Sequence, residues 1–440
     1  MTDALAARLL MGMSLAFHIV FAAAGIAMPL FMVIAEWRYR RTGDAVWLSL
    51  AKAWSKGAAV LFAVGAVGGT VLSFELGLLW PGFMQFSGSI IGVPFSLEGF
   101  AFFTEAIFLG IYLYGWERVS PRLHLGAGVI VAISGAISGL LVLMVNGWQH
   151  APAGFEVANG QAVNIDPFAA MFNPAWPHIA LHMTIAAYQS IAAAMMGIHG
   201  IMLLRDRSNQ FHRKAFAFAL TATLITSVLQ PLAGDFSAKQ VAQLQPAKLA
   251  AMEGQFKTEQ GAPLRIGGIP NPDTQETPLA IEIPGLLSWL AFGDASATVI
   301  GLEEFPRADW PPVLLVHLAF QIMVGSAFVM AGVAGLGALL AWRRRRLPDS
   351  RWYLWLAALA APFGLLALET GWIVTELGRQ PWIIQDIMRT LDAVTPMTNL
   401  GAPLVTFALI YVALGVITVW VLSYQVIHSP RIAPAPVPAA

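Results

Sequence analysis

The residues of this chain that could do chemistry are histidines, a methionine and glutamates lying inside long apolar segments. The candidates are His18, Glu75, Glu98, Glu105, His178, His182, Met323 and Glu369. An ionisable side chain within a membrane span costs roughly 2.5–3.5 kcal/mol, so it usually has a partner or a function. Imidazole, thioether and carboxylate groups can bind haem iron, and carboxylates can also form proton relays. Both chemistries require a scaffold that holds these side chains at a similar depth.

The composition places the chain in the membrane class. Of its 440 residues, 57% are apolar and 11% are charged, and the mean hydropathy is +0.67. A soluble domain usually carries about 25% charged residues. The chain has no cysteine, which excludes disulfides, thiolate-bound iron–sulfur clusters and C-x-x-C-H haem attachment. Any cofactor must therefore be held by histidine, methionine or carboxylate, and a formal net charge of zero gives no reason to expect nucleic acid as a partner.

Nine apolar segments are long enough to cross a bilayer as helices, for which about 20 residues are needed. They lie near residues 10–35, 54–79, 92–116, 125–148, 178–204, 213–234, 313–341, 353–376 and 401–426. We therefore predict an all-α polytopic membrane bundle of nine transmembrane helices. The predicted divisions are spans one to six in residues 1–234, a loop in 235–312, spans seven to nine in 313–426, and a Pro/Ala-rich tail in 427–440. A loop of that length in a compact protein is usually functional or disordered.

The basic residues indicate which way the bundle faces. Most of the 25 lysines and arginines fall in short loops on one side, as in the run Arg343–Arg346. The positive-inside rule makes that side cytoplasmic, so the N-terminus and the 235–312 loop lie outside. With a rise of about 1.5 Å per residue, the candidate side chains then share the outer half of the membrane, and Glu105 reaches its middle. This shared depth favours a functional interpretation, although a lone methionine is usually core packing and a lone histidine or carboxylate is as often a helix–helix hydrogen-bond partner.

Two classes of protein fit this placement, a haem redox protein and a proton- or ion-coupled transporter without redox cofactors. A transporter predicts internal pseudo-symmetry with broken helices at matching positions in two halves. Nine spans with one large asymmetric loop fit that pattern poorly. A haem–copper oxidase needs six metal-binding histidines, some of them adjacent, and the nine histidines here are too dispersed.

Two further expectations concern local structure. Residues Pro246–Phe256 predict a short amphipathic helix within the long loop, with Lys248 and Glu253 away from its apolar side. Three histidines lie in or beside the cytoplasmic loops, where we expect solvated side chains. They are His124, His212 and His428.

Several motifs resemble those of cytochrome bd-type quinol oxidase subunit I along nearly the whole chain. The most specific are Glu369-Thr-Gly-Trp372 and Gly378-Arg-Gln-Pro-Trp382. The others are Met13–His18, Phe95–Gly99, Asn146–Gln149 and Lys248–Glu253. The resemblance implies the haem-bearing subunit of a terminal oxidase in a bacterial cytoplasmic (inner) membrane. It would oxidise quinol at the outer face and reduce dioxygen to water, generating a proton-motive force without a dedicated pump.

The resemblance also implies the cofactors and partners. His182 and Met323 would bind the iron of a low-spin haem b. His18 and Glu369 would each bind the iron of a high-spin haem, one a haem b and the other a haem d or a further b-type haem. Glu98 would lie beside that pair as a ligand or proton donor. A second membrane subunit, a small single-span subunit and either ubiquinol or menaquinol are the implied partners.

The remaining residues implied by the resemblance serve protons and quinol. The positions that match the family's proton-delivery residues are Glu105, Ser138 and Asn146. Lys248 and Glu253 match the quinol-binding positions, where the carboxylate would accept a hydroxyl proton and the ammonium would stabilise negative charge. Arg379 would lie close to the haems and offset propionate charge.

The chain departs from the family pattern at three points. Gln321 stands where many members have arginine, and His317, one turn earlier, is a candidate to supply the missing charge. Leu365 stands where many members have tryptophan. The long loop resembles the short form, which occurs in cyanide-insensitive members with b-type haem in place of haem d.

Overall fold

The computed structural model describes residues 2–433 and consists mainly of long helices. In chain order the helices are α1 Asp3–Thr42, α2 Ala45–Leu79, α3 Pro81–Tyr114, α4 Pro121–His150, α5 Pro167–Met171, α6 Trp176–Arg205, α7 Gln210–Leu244, α8 Pro246–Glu253, α9 Leu286–Phe292, α10 Val313–Arg344, α11 Arg351–Ala360, α12 Pro362–Leu377, α13 Thr390–Ala393 and α14 Gly401–Ile427. Among the described residues, nine spans are long and apolar enough to cross a membrane: α1–α4, α6, α7, α10, the α11–α12 pair and α14. The predicted all-α bundle of nine spans is confirmed.

The eighth span is interrupted where α11 gives way to α12. Pro362 begins α12 and has no backbone N–H to continue the hydrogen bonding of α11. Two residues later, a Cβ built on Gly364 would lie only 2.7 Å from Ser190 Cα of α6. The break and the glycine therefore let α12, which carries Glu369, lie directly against α6, which carries His182.

The sixth span is longer than its hydropathy predicts. Helix α7 runs to Leu244, past the predicted boundary at residue 234. The residues after 234 are largely polar, so an apolar window ends there. The helix nevertheless continues because Val241 and Ala242 are buried on one face. The segment that connects the sixth and seventh long helices therefore covers residues 245–312 and is called the connecting segment below.

The connecting segment is folded against the bundle. It contains α8, α9 and four short strands, β3 Glu259–Gln260, β4 Leu264–Gly267, β5 Ala280–Ile283 and β6 Thr298–Val299. The first two strands of the chain, β1 Glu156–Ala158 and β2 Gln161–Val163, lie earlier, between α4 and α5, and form a hairpin. The antiparallel pairs are β3 with β6 and β4 with β5. Leu249, Met252 and Leu287 share one apolar cluster with Val316 of α10 and Val374 of α12. These contacts attach the segment to the two helices that carry Met323 and Glu369.

The two ends of the bundle differ in their connections. The loop side is the end that carries the start of α1, the connecting segment and the β7 Trp382–Ile384/β8 Met388–Arg389 pair. The basic side is the opposite end, with Arg343 and Arg344 in the last turn of α10. There the chain after α14 returns to α7, since Gln210 N donates to Ile432 O at 2.9 Å. Residues 434–440 of the predicted tail lie outside the described residues.

Candidate functional site

His18 of α1 packs against two successive glycines of α2. A Cβ built on Gly68 would lie 3.2 Å from His18 Nδ1, and one on Gly69 would lie 3.1 Å from His18 Cε1. Larger residues would push the imidazole out of this position. Among residues 2–433, His18 Nδ1 is buried without a hydrogen-bond partner. An imidazole nitrogen in this environment can offer its electron pair to a metal ion.

Helix α12 brings a carboxylate towards the same region. Leu365 and Trp372 of α12 pack with Ile19 of α1, so this part of α12 lies against the helix that carries His18. Glu369 Oε1 and Trp372 Nε1 are buried, and neither finds a hydrogen-bond partner in the part of the chain that the structure describes. Leu365, which stands where many family members have tryptophan, is a partly buried packing residue of this cluster.

His182 of α6 and Met323 of α10 both lie on helices that pack against α7 and α12. Gln230 of α7 places its Nε2 3.2 Å from His182 Nε2. A Cβ built on Gly234 would meet His182 Cε1 only at 3.8 Å, and one on Gly371 would lie 3.1 Å from the Met323 sulfur. A glycine therefore lies beside each of the two side chains, His182 and Met323, and has no Cβ to fill the adjacent space.

These donor atoms fit iron porphyrins better than bare metal ions. Within the described residues, no three His, Asp or Glu side chains converge to hold a metal ion by themselves. A haem needs only one or two protein ligands, because its macrocycle supplies four nitrogens, and His, Met and carboxylate are suitable types. The unpartnered nitrogen of His18 and oxygen of Glu369 meet that need, with glycines beside the ring of His18.

Two carboxylates of α3 face α4 near the middle of the bundle. Ser138 Oγ donates to Glu98 Oε1 at 2.8 Å. Glu105, two turns further along α3, is buried, and a Cβ built on Gly135 would lie 3.2 Å from its carboxyl carbon. Gly25 of α1 also lies beside it, at 3.8 Å by the same construction. The structure therefore places Glu98, Glu105 and Ser138 along one interface between α3 and α4.

Asn146 does not join those residues. It lies further along α4 towards the loop side, where its Nδ2 donates to Glu376 Oε1 at 2.7 Å. Arg379 Nη2 donates to Glu376 Oε2 at 2.5 Å, and its Nη1 donates to the carbonyl oxygens of Trp382 and Ile383. Glu376 is a residue that sequence reasoning missed. Its spacing of seven from Glu369 and three from Arg379 places it on their side of the helix, which is the signal that could have revealed it.

Lys248 and Glu253 of α8, which the sequence pattern places away from the apolar side of the helix, are both buried. The helix ends at Glu253, short of the predicted Phe256, and residues 248–253 are all buried. Tertiary contacts also cover the polar faces of α8, which its sequence periodicity alone would leave exposed to solvent. Lys248 Nζ donates to Thr375 O at 3.4 Å, and its chain lies against Gly378, where a Cβ would be 2.8 Å from Lys248 Cε.

The two side chains of α8 have perturbed ionisation. Burial lowers the pKa of Lys248 to about 7; nearby Glu376 opposes that shift and Arg379 adds to it. Burial raises the pKa of Glu253 to about 8, and Arg265 acts in the opposite direction. Glu253 Oε2 is buried and unpartnered within residues 2–433. Both groups can therefore exchange protons near neutral pH, which suits acid–base work on a hydroquinone.

The two remaining outer candidates have ordinary partners. Ser14 Oγ donates to Glu75 Oε1 at 2.8 Å, and Tyr411 donates to the same serine oxygen at 2.9 Å. His178 Nδ1 lies 3.2 Å from Ser237 Oγ. These contacts join neighbouring helices, although Glu75 Oε2 is buried without a partner among the described residues.

The expectation of solvated histidines on the basic side is wrong for two of the three. His124 is buried, with Nδ1 3.0 Å from a carboxylate oxygen of Glu36, and His212 is buried 3.0 Å from His199. Closeness to a loop in sequence does not fix the direction in which a helix face points. His428 is exposed, as predicted.

The fold is that of a polytopic membrane protein that carries candidate ligands for haem iron. The chain matches the family model described as cytochrome bd terminal oxidase subunit I over residues 6–430. It is 39% identical over 430 residues to a Bacillus subtilis (strain 168) protein provisionally named a cytochrome bd menaquinol oxidase subunit I, covering 96% of each chain. It is 30% identical over 436 residues to the cytochrome bd ubiquinol oxidase subunit 1 of the same organism, covering 96% of this chain and 92% of that one.

A solved structure supports the same conclusion. The bd oxidase from Geobacillus thermodenitrificans superposes with a TM-score of 0.92 at 38% identity, covering 97% of this chain and 99% of that one. The chain therefore belongs to the cytochrome bd terminal oxidase subunit I family. It is a subunit of a quinol:oxygen oxidoreductase of the bacterial membrane, with haem cofactors and a second membrane subunit, and the transporter alternative is not supported.

Proposed function

We propose that three haems lie in the loop-side half of this quinol oxidase subunit. His182 and Met323 hold a low-spin haem b between α6 and α10. Held by an imidazole and a thioether, this haem would supply electron transfer. The supporting observation is that Gly234 lies beside the His182 ring and Gly371 beside the Met323 sulfur, so neither position carries a side chain there. His182 and Met323 would therefore form the entry point for electrons.

The two high-spin haems are held by His18 and by a carboxylate of α12. One is a haem b and the other a haem d or a further b-type haem. Glu369 is the proposed carboxylate, because its Oε1 is buried without a partner among the described residues, whereas both oxygens of Glu376 are hydrogen bonded. Glu98 lies beside this pair as a further ligand or proton donor. The haems that these residues would hold would supply the oxygen chemistry.

Quinol, either ubiquinol or menaquinol, is oxidised at α8. Glu253 accepts a hydroxyl proton, and Lys248 stabilises negative charge on the bound headgroup. The support comes from their burial and from pKa values of about 8 and about 7, which place both groups near the working pH. Arg379 faces the haem region from the end of α12 with Glu376 and Asn146 as its neighbours, and would offset propionate charge.

Protons for water formation reach the oxygen site through Glu105, Ser138 and Glu98 from the cytoplasmic side. Asn146 belongs to the outer end of this region, next to Arg379. Quinol protons leave at the outer face while oxygen protons come from inside, so turnover generates a proton-motive force without a dedicated pump. The complex lies in the bacterial cytoplasmic (inner) membrane and includes a small single-span subunit beside the second large one.

One observation carries the proposal. Within the described residues, the buried side-chain polar atoms that lack a hydrogen-bond partner lie on the loop side, with Trp54 and Ser350 as the exceptions. Burying a polar atom without a hydrogen-bond partner costs free energy. Such atoms are therefore expected where a bound ligand supplies the missing partner.

The test is a reduced-minus-oxidised absorption spectrum of the enzyme complex. We expect His182→Ala or Met323→Leu to remove the low-spin haem signal and to leave the high-spin signals. His428→Ala, at an exposed histidine, is the matched control and should match the unsubstituted enzyme. An unchanged spectrum in both ligand variants would refute the axial pair.

A further inference from the structure

His317 is a buried histidine to which the proposed function gives no role. It lies on α10 one and a half turns before Met323 and has no exposed surface. It faces the connecting segment, which carries Glu253. What its ring contacts there determines its charge and its role.

Both ring nitrogens of His317 contact backbone carbonyl oxygens. Nδ1 lies 2.8 Å from Met252 O, and Nε2 lies 3.0 Å from Gly267 O. A carbonyl oxygen only accepts hydrogen bonds, and a neutral imidazole has a single N–H to donate. The two contacts are therefore both hydrogen bonds only when the ring is doubly protonated.

The next turn of α10 holds the same region. Gln321 Nε2 donates to Arg265 O at 2.9 Å, and Gly267 N donates to Gln321 Oε1 at 3.1 Å. His317 and Gln321 thus bind the last turn of α8 and the end of β4 to α10. Met252, which accepts from His317, immediately precedes Glu253.

We infer that His317, as an imidazolium, is a positioning residue that fixes the backbone of Glu253 against α10. This inference rests on the proposed role of Glu253 in quinol oxidation and adds a requirement for a second proton on His317. Replacement of the ring removes a donor from at least one of the two carbonyl oxygens, so α8 is held less firmly. Quinol binding then weakens, whereas the oxygen site is unaffected.

Other ionisable groups on the packed elements must be separated from His317 in any test. They are Lys248 and Glu253 on α8, Arg265 on β4, Glu376 on α12, and the Asp235–Lys239 pair on α7. Glu253 and Lys248 act on quinol itself, so their titration changes the rate of the chemical step. Loss of the His317 contacts should appear instead in the KM for quinol.

The experiment compares His317→Gln with the unsubstituted complex, using a short-chain ubiquinol and a short-chain menaquinol as substrates. We expect His317→Gln to raise the quinol KM about tenfold, as expected for one lost charge-assisted hydrogen bond, with kcat changed less than about twofold. The reaction of dithionite-reduced enzyme with oxygen should be unchanged.

Two variants keep the test decisive. Gln321→Leu removes the neighbouring contacts without touching His317, and should also raise KM. Glu253→Gln tests the proposed function separately, since normal quinol oxidation in that variant would remove the role of Glu253 itself. A slow Glu253→Gln variant together with an unaltered quinol KM in His317→Gln would overturn only the inference about His317. Equal slowing of the quinol and oxygen reactions in His317→Gln would also overturn it.

Discussion

Two buried polar clusters lie at opposite ends of the bundle and differ in how fully their hydrogen bonds are made. On the basic side, Glu36 has no exposed surface and accepts hydrogen bonds from His124 and Arg40, while His124 Nε2 lies 2.9 Å from Tyr112 O. On the loop side, within residues 2–433, Glu369 and Arg379 each keep a buried polar atom without a partner. Both clusters are buried, so burial alone does not distinguish structure from function.

The difference follows from what each cluster has to do. A buried ion pair whose hydrogen bonds are complete joins helices and leaves no atom free for another molecule. A cluster that binds cofactors must keep donors and acceptors free, which costs stability in the protein alone. Completeness of hydrogen bonding therefore separates the structural end of this bundle from the end that we propose to be catalytic.

The largest expected effect comes from the carboxylates of α12. We expect Glu369→Gln to remove one high-spin haem and to abolish oxygen reduction, because an amide is a poor ligand for haem iron. Absorption spectra and oxygen consumption of the purified complex measure both. Glu376→Gln is the matched comparison on the same helix face. If Glu376→Gln loses the haem and Glu369→Gln keeps it, the ligand is the hydrogen-bonded carboxylate and the proposed assignment is wrong.

Glu253→Gln should slow quinol oxidation about 100-fold and leave the oxygen reaction of prereduced enzyme unchanged. The proton-accepting form is the carboxylate, whose share increases as pH rises through the pKa of about 8. Quinol oxidation by the unsubstituted enzyme should therefore increase with pH across that range. The variant should lack this increase.

Glu276→Gln, at an exposed glutamate of the same connecting segment, is the control for Glu253→Gln and should behave as the unsubstituted enzyme. A Glu253 variant that retained the pH dependence would show that another group accepts the proton. Slowing of the oxygen reaction to the same degree would place Glu253 outside the quinol site.

The smallest expected catalytic effect is at the basic side. His124→Leu leaves the buried Glu36 with Arg40 as its remaining charged partner and should cost about 1–3 kcal/mol of stability. Activity per haem in the surviving complex should stay unchanged. Thermal unfolding in detergent and activity normalised to haem content check the two parts. A large loss of activity per haem would show that the contrast between the two ends is not one of structure against catalysis.

Much of the fold could be predicted from sequence, because membrane spans are set by length and apolarity. The nine spans follow from that rule, and the end of α7 does not, because its polar last turns are held by packing of Val241 and Ala242. Motifs also pointed to Glu98 and Ser138, which hydrogen bond as neighbours on α3 and α4. Sequence spacing within one helix gave no sign that Asn146 would bond instead to Glu376 of α12.

The sequence by itself determined an all-helical membrane protein without thiol ligands, since bilayer thickness, hydropathy and the absence of cysteine are independent of how the helices pack. Tertiary structure alone decided which buried polar atoms find hydrogen-bond partners and which remain without one among the described residues. His124 and His317 became buried donors, while His18 and Glu369 kept an atom without a partner among the described residues. The physical reason is that a hydrogen bond between helices depends on rotation, tilt and glycine contacts, which no single segment specifies.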